Sequence, residues 1–204
     1  VSAGAAFGVN YKARQIGRAL RYNCQYGADP RYMGLRSLLT TGNLVNADFA
    51  YRTVPLELDK FDEATFEADP MEFHLVCTDV DRGMPVYHQL TQFNERALDW
   101  IRASASMPIV STAVEIDGLR LLAGGIVDSI PLRFFQEKGY RRNIVILTQP
   151  RGFFKSKTKL MPLFHVFCRR YPAVVQAMAR RHEMYNAESQ YISEQEALGD
   201  TLLI

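Results

Sequence analysis

Val1-Ser2-Ala3-Gly4-Ala5 opens the chain with residues too small to hold a strand and a helix apart. The run reads as the last four residues of a Gly-x-Ser-x-Gly turn plus the small residue that begins the next helix. Such a turn ends a strand and starts a helix within about two residues, as an α/β arrangement needs, although four residues of a five-residue motif do not fix the fold by themselves. A serine hydroxyl is a weak nucleophile at neutral pH and needs exposure, a nearby base and donors for an oxyanion. The elbow would expose Ser2, with Gly4 letting the elements approach and the Ala3 N–H lying where a helix N-terminus favours negative charge. On these residues alone, a helix N-cap role for Ser2 outweighs a catalytic one.

Bulk properties narrow the classes. The 204 residues suit one α/β domain, and 48% apolar with 23% charged residues sits near globular averages. No run approaches the roughly 20 apolar residues of a spanning helix. A net charge of +2 gives no general case for nucleic-acid binding. Cys24, Cys77 and Cys168 are odd in number and widely spaced, which argues against a disulfide framework and fits a reducing, cytoplasmic setting. No initiating Met is present and the first residues fall inside a motif, so upstream sequence, with any signal it carries, is expected to be missing.

The pattern along the chain predicts a helix from Ala3 to about Arg21 and a second from Pro30 to Gly42, with Pro55 barring a long helix after it. Phe73–Thr78 reads as a strand, Asp81-Arg82-Gly83 as a turn, and Val86-Tyr87 as the returning arm. Thr91 is placed to cap a helix over Phe93–Ser104. Asp117-Gly118, between Ala113–Ile116 and Leu119–Leu122, is the strongest hairpin signal in the chain. A helix over Pro131–Lys138, a buried strand at Asn143–Thr148 and a strand beginning at Thr201 complete the reading.

A second set of residues connects with the first turn. Trp100–Pro108 contains Arg102-Ala103-Ser104 and Pro108, followed by Ile116-Asp117-Gly118 and then Ala123-Gly124-Gly125-Ile126-Val127-Asp128-Ser129-Ile130-Pro131. With the elbow and the Cys77-Thr78-Asp79-Val80-Asp81-Arg82-Gly83 stretch, this order resembles the patatin-like phospholipase family over most of residues 1–150. The nearest likeness is to bacterial members that carry a further helical region. The resemblance implies a three-layer α/β/α fold with a mainly parallel central sheet. Residues 1–150 would form the catalytic core, lacking its N-terminal strand and oxyanion loop, and residues 151–204 a basic helical extension packed on the same domain.

The same resemblance implies a serine hydrolase that cleaves carboxylic esters of lipids through a Ser-Asp dyad and an acyl-enzyme. Ser2 matches the nucleophile, and the Ala3 N–H matches one oxyanion donor. Gly4, Gly124 and Gly125 match the motif glycines. The family's aspartate falls at Ala123, which leaves three readings open: a deliberate Asp-to-Ala change, a naturally inactive relative, or rescue by Asp128, whose plainer role is to cap the helix from Pro131. Losing one member of such a pair commonly costs on the order of 10³-fold in turnover. The alternative is a non-catalytic patatin-like protein that binds lipid or membrane, and acyl transfer to an acceptor other than water would use the same residues.

Other candidates weigh less. His74, His88, His165 and His182 are candidate general bases, one of which a conventional triad would need; His74 alternates within a strand and His88 follows a hairpin arm, positions that favour structural or surface roles. Asp79 and Asp81 resemble a paired-carboxylate site, but the turn explains them better. No metal-ligand spacing or cofactor motif occurs. Residues 151–182 carry eight basic side chains and no acidic one, interleaved with Phe and Leu. That segment fits peripheral contact with an anionic membrane, or an ordinary amphipathic helix pair with a solvated basic face.

Overall fold

A computed structural model describes residues 1–204. The first helices are α1 (Ala3–Lys12), α2 (Arg18–Tyr26) and α3 (Leu35–Thr41), with a wide π-type helical segment at Phe49–Leu58 and α4 at Glu63–Ala68. Strands β1 (His74–Asp79) and β2 (Met84–Gln89) precede α5 (Glu95–Ala105), then β3 (Val114–Ile116) and β4 (Leu119–Ala123). A 3₁₀ turn at Gly124–Ile126 leads to α6 (Leu132–Glu137) and β5 (Asn143–Val145). The chain ends with α7 (Met161–Phe167), α8 (Pro172–Ala197) and β6 (Thr201–Leu203).

The fold is α/β, but its main sheet is antiparallel rather than mainly parallel. Its order is β2-β1-β4-β3, and all three pairings run antiparallel, with Val76 opposite Tyr87, Cys77 opposite Ala123 and Val114 opposite Leu121. Two tight turns account for two of these pairings, since strands joined by a few residues can only run back on each other. In the first turn the Asp79 carboxylate accepts the N–H groups of Asp81 and Arg82 at 2.9 and 3.2 Å, and Gly83 takes φ +65°. In the second, Asp117 and Gly118 both take positive φ, as the twist of a two-residue hairpin requires. The parallel component is a separate pair, β5 with β6, in which Ile144 stands opposite Leu202.

Helices cover both faces of the main sheet. Leu75, Cys77 and Leu121 pack with Ala5 and Val9 of α1 and with Trp100 and Ile101 of α5. Leu122 and Ala123 join Ile126, Phe164 of α7, and Val174 and Met178 of α8. The C-terminal helices thus complete the core on the sheet's second face.

Several local expectations shift. The helix expected from Ala3 to Arg21 breaks after Lys12, because Arg14 (φ +56°) and Gly17 (φ +77°) turn the chain into α2. The helix expected from Pro30 starts only at Leu35, preceded by Gly34 at φ +155°. Asn94, not Thr91, caps α5: its carboxamide oxygen accepts the Ala97 N–H at 3.0 Å. The Phe49–Leu58 segment admits Pro55 through its wider turn.

Candidate active site

The turn at Ser2 is strained. Ser2 holds φ +50° and ψ −116°, a conformation that costs a residue with a Cβ about 1–3 kcal/mol. Its N–H donates to the Ser104 carbonyl at 3.1 Å, and α1 begins at the next residue. The Ser2 side chain makes no capping hydrogen bond to α1, so the N-cap role is not the one it plays. Carbonyls of Val1 and Ser2 accept the N–H groups of Gly4 and Ala5, both at 2.9 Å, while exposed Ala3 supplies the first N–H of the helix, which has no intrahelical acceptor.

Two cavities meet at this turn. One is a cleft of about 490 Å³ lined by Val1–Gly4, Gly125, Ser129, the β5 strand and its continuation to Gln149, with Lys155, Arg181 and Tyr185. The other, about 280 Å³, is lined by Ser2, Ala3, Ala6, Tyr22, Tyr51, Phe61, Phe93 and Ala105 among mostly apolar residues. Ser2 and Ala3 are common to both. No Asp, Glu or His lines either cavity.

Position 123 reaches the same neighbourhood through the end of α5. The Ala123 N–H donates to the Ser106 carbonyl at 2.8 Å, two residues beyond the Ser104 that holds Ser2, and the Ala123 carbonyl accepts from the Thr78 hydroxyl at 2.7 Å. Its methyl is fully buried and packs in the apolar cluster with Ile126, so Ala123 lines neither cavity. A side chain at Gly124 would collide with the Val76 carbonyl, which is why a glycine must follow. A Cβ at Gly125 would stand 3.6 Å from the Val1 side chain and 3.7 Å from the Arg181 guanidinium.

Asp128 neither caps α6 nor lines a cavity with Ser2. Its carboxylate accepts the Tyr87 hydroxyl at 2.5 Å, and α6 starts at Leu132 after Pro131 at the N-cap position, without a side-chain cap. Beside it lies Glu188 of α8, whose carboxylate accepts the N–H groups of Ser129 and Ile130 at 3.1 and 3.0 Å. Burial, followed by the Asp128 carboxylate, pushes the Glu188 carboxyl up to about 8.

The histidines stand apart from Ser2. His74 bonds Glu72 at 2.7 Å and meets the Phe134 ring edge-on, while His88 stacks on Trp100 at 3.9 Å. His165 lies on α7, and His182 lines a different groove.

Order along the chain and the elbow geometry point the same way as one comparison. Residues 1–135 match the family model described as Patatin-like phospholipase. The chain belongs to that family. A relative from Escherichia coli (strain K12), described as Uncharacterized protein YjjU, is 28% identical over 154 residues, which is 73% of this chain. The chain spans 42% of that relative's length.

Within the patatin-like chain, Arg181 and Lys155 line the cleft at Ser2, and Glu188 holds its wall from behind at Ser129 and Ile130; sequence reasoning did not single out any of the three by role. Arg181 donates through Nε to the Gly125 carbonyl at 2.6 Å. Lys155 lies over the Tyr185 ring at 4.6 Å, and burial, with Arg181 nearby, holds its ammonium below the usual range. The Asn186 carboxamide clamps the Lys155 backbone at both N–H and carbonyl. The basic run pointed to Lys155 and Arg181 as charges, but their meeting in the cleft at Ser2, with Arg181 on the Gly125 carbonyl, depends on how α8 packs against the 3₁₀ turn.

Proposed function

We propose that this chain is the scaffold of a serine lipid acyl hydrolase whose base position is occupied by Ala123. The strained Ser2 turn at the junction of two cavities carries the reading. Strain of this kind persists where the surrounding structure over-determines it, and it clusters at reactive positions. Family membership supports hydrolysis of lipid esters as the reaction class.

In this reading the acyl chain enters the apolar cavity lined by Ala6, Tyr51 and Phe93, while the alcohol portion lies in the larger cleft beside Lys155 and Arg181. Ser2 Oγ attacks the ester carbonyl, and the Ala3 N–H stabilises the oxyanion. The Ser2 proton passes to a base and then to the departing alcohol oxygen. Water hydrolyses the acyl-enzyme, restoring Ser2 and releasing the acid. An aspartate at position 123 would be the base, forming a Ser-Asp dyad with Ser2. With Ala123 in place and no carboxylate or imidazole lining either cavity, turnover by this chain is impaired by on the order of 10³-fold. The chemistry calls for no metal or cofactor.

The deciding experiment compares hydrolysis of p-nitrophenyl esters of short and medium acyl chains by Ala123→Asp and by Ala123→Asp with Ser2→Ala. The aspartate form is expected to be faster by at least 10²-fold. Equal rates would remove the hydrolase reading. The full packing of the Ala123 methyl favours a second reading, a protein that keeps the patatin-like scaffold for lipid binding without turnover. Stoichiometric retention of fatty acid by an Ala123→Asp protein that hydrolyses nothing would favour that reading.

A further inference from the structure

Helix α7, Met161-Pro162-Leu163-Phe164-His165-Val166-Phe167, is apolar nearly all round. A helix with that composition belongs inside a core or against lipid, because water on its outer side leaves apolar area unburied. Only one side of α7 meets the core: Phe164 and the adjoining Cys168 pack against Val174, Val175 and Met178. Leu163, Val166 and Phe167 share the other side at spacings of three and four residues, and Val166 and Phe167 are each 64% exposed. Phe154, in the loop before the helix, is 73% exposed. Phe154 and Leu163 also line a groove of about 600 Å³ together with Met107, Pro108, Phe153 and Phe164, among others, while Val166 and Phe167 stand outside it.

Charge brackets this apolar surface. Lys157 and Lys159 precede α7 and Arg169 and Arg170 follow it, all four exposed. Of the eight bases in residues 151–182, only Arg151 and Arg180 form ion pairs, with Glu196 and Glu183. The eight positive charges fall in a chain whose net charge is +2, so the remainder is acidic and the cationic face is local. Apolar side chains flanked by unpaired bases match the interface of an anionic bilayer, where acyl chains cover the former and headgroups the latter. No helix of the chain is long and apolar enough to cross a membrane, so the contact is one of docking on the surface.

We propose that α7, with the Phe153–Leu160 loop and the Arg169-Arg170 corner, docks this protein on an anionic lipid surface. The docking groove shares Lys155 and Arg181 with the cleft at Ser2, which gives a lipid a short path between them. Neither Ser2 nor position 123 takes part in docking, so this inference and the hydrolase reading fail separately.

The test is sedimentation of the full chain with phosphatidylcholine vesicles, with and without phosphatidylserine, at low and high salt. Binding is expected only with phosphatidylserine present and is expected to weaken as salt rises. Charge removal by Gln at Lys157 and Lys159, or at Arg169 and Arg170, should lower the vesicle affinity by about fivefold per base. Phe154→Ser with Phe167→Ser should reduce binding while the circular dichroism spectrum stays unchanged. No binding to phosphatidylserine vesicles, or binding indifferent to both sets of variants, overturns the proposal. So does a dimer in light scattering that Phe167→Ser dissociates, which would assign the face to a second copy of the chain.

Discussion

The Ser2 N–H donates to the Ser104 carbonyl at 3.1 Å, while the Ser104 hydroxyl, fully buried, donates to the Val76 carbonyl at 2.7 Å. One residue at the end of α5 thereby ties the elbow to the middle of β1. Ser104→Ala leaves the buried Val76 carbonyl without that donor, which costs about 2 kcal/mol. In a chain of this size the melting temperature should fall by about 4–8 °C. Against an Ala123→Asp background, hydrolysis should fall more in kcat than in KM, because the elbow loses its seat. A melting temperature unchanged within error would show that Ser104 is not the tie.

Strain at Ser2 makes an opposite prediction for glycine. A residue without a Cβ adopts φ +50°, ψ −116° readily, but it also raises the entropy of the unfolded chain. The two effects leave a net stabilisation of about 1 kcal/mol for Ser2→Gly. Thermal unfolding should rise by about 2–4 °C, while the Ala123→Asp, Ser2→Gly protein hydrolyses nothing. Ser2→Ala keeps the Cβ and should show no such gain, so equal melting temperatures for the two variants would remove the strain argument.

What was legible in the residues divides by range. Asp117-Gly118 and Asp81-Arg82-Gly83 carry their own turn chemistry, and the strands beside them were readable for that reason. Thr201–Leu203 was likewise readable as a strand, although its parallel partner at Asn143–Val145 lies far away in sequence. The sheet direction was not readable from the elbow, because a strand-to-helix turn constrains its own two elements and says nothing of how β1, β3 and β4 pair. The break at Arg14 and Gly17 is one whose cause lies partly in tertiary contact: buried Arg18 donates to the Asn10 carboxamide oxygen at 2.8 Å and pairs with Asp59. At the site, Ser2 and Gly124 could be placed by motif. Glu188 could not, since nothing local marks one carboxylate of a 26-residue helix as the partner of Asp128.

That carboxyl pair sets a pH dependence. Burial and the neighbouring Asp128 raise Glu188 to about 8, whereas an unfolded glutamate titrates near about 4.3. Between these values the native protein binds a proton that the unfolded chain has released. Stability is therefore complete at the acidic end of this window and falls as pH rises toward 8. Glu188→Gln keeps an acceptor for Ser129 and Ile130 and removes the titration, so its stability should be flatter with pH. Urea unfolding of both proteins at steps between pH 5 and pH 8.5 measures this, and parallel curves would sink the assignment.

Gly124 tests the closeness of β1 and the 3₁₀ turn. An added Cβ there meets the Val76 carbonyl and its carbon, both backbone atoms that cannot rotate away. Gly124→Ala should therefore cost at least about 2 kcal/mol, more than a surface substitution brings. Gly125→Ala, whose new methyl would find only ordinary contacts at 3.6 Å or beyond, should unfold near the parent temperature. A pair of melting curves separates the two positions, and comparable losses would mean that the turn relaxes as a unit.

The apolar cavity makes the last prediction, about chain length. Ala6 lines it near Ser2, so Ala6→Leu places three further carbons in the path of an acyl chain. Each methylene that can no longer be buried forfeits about 0.8 kcal/mol. In the Ala123→Asp protein, Ala6→Leu should lower kcat/KM for a medium-chain p-nitrophenyl ester by at least about tenfold, while the acetate ester, too short to reach the new side chain, is hydrolysed at the parent rate. Gly125→Ala faces the other cavity and should leave the ratio between the two esters unchanged. If Ala6→Leu slows both esters equally, the acyl chain does not lie in this cavity, and the larger cleft beside Arg181 becomes its place.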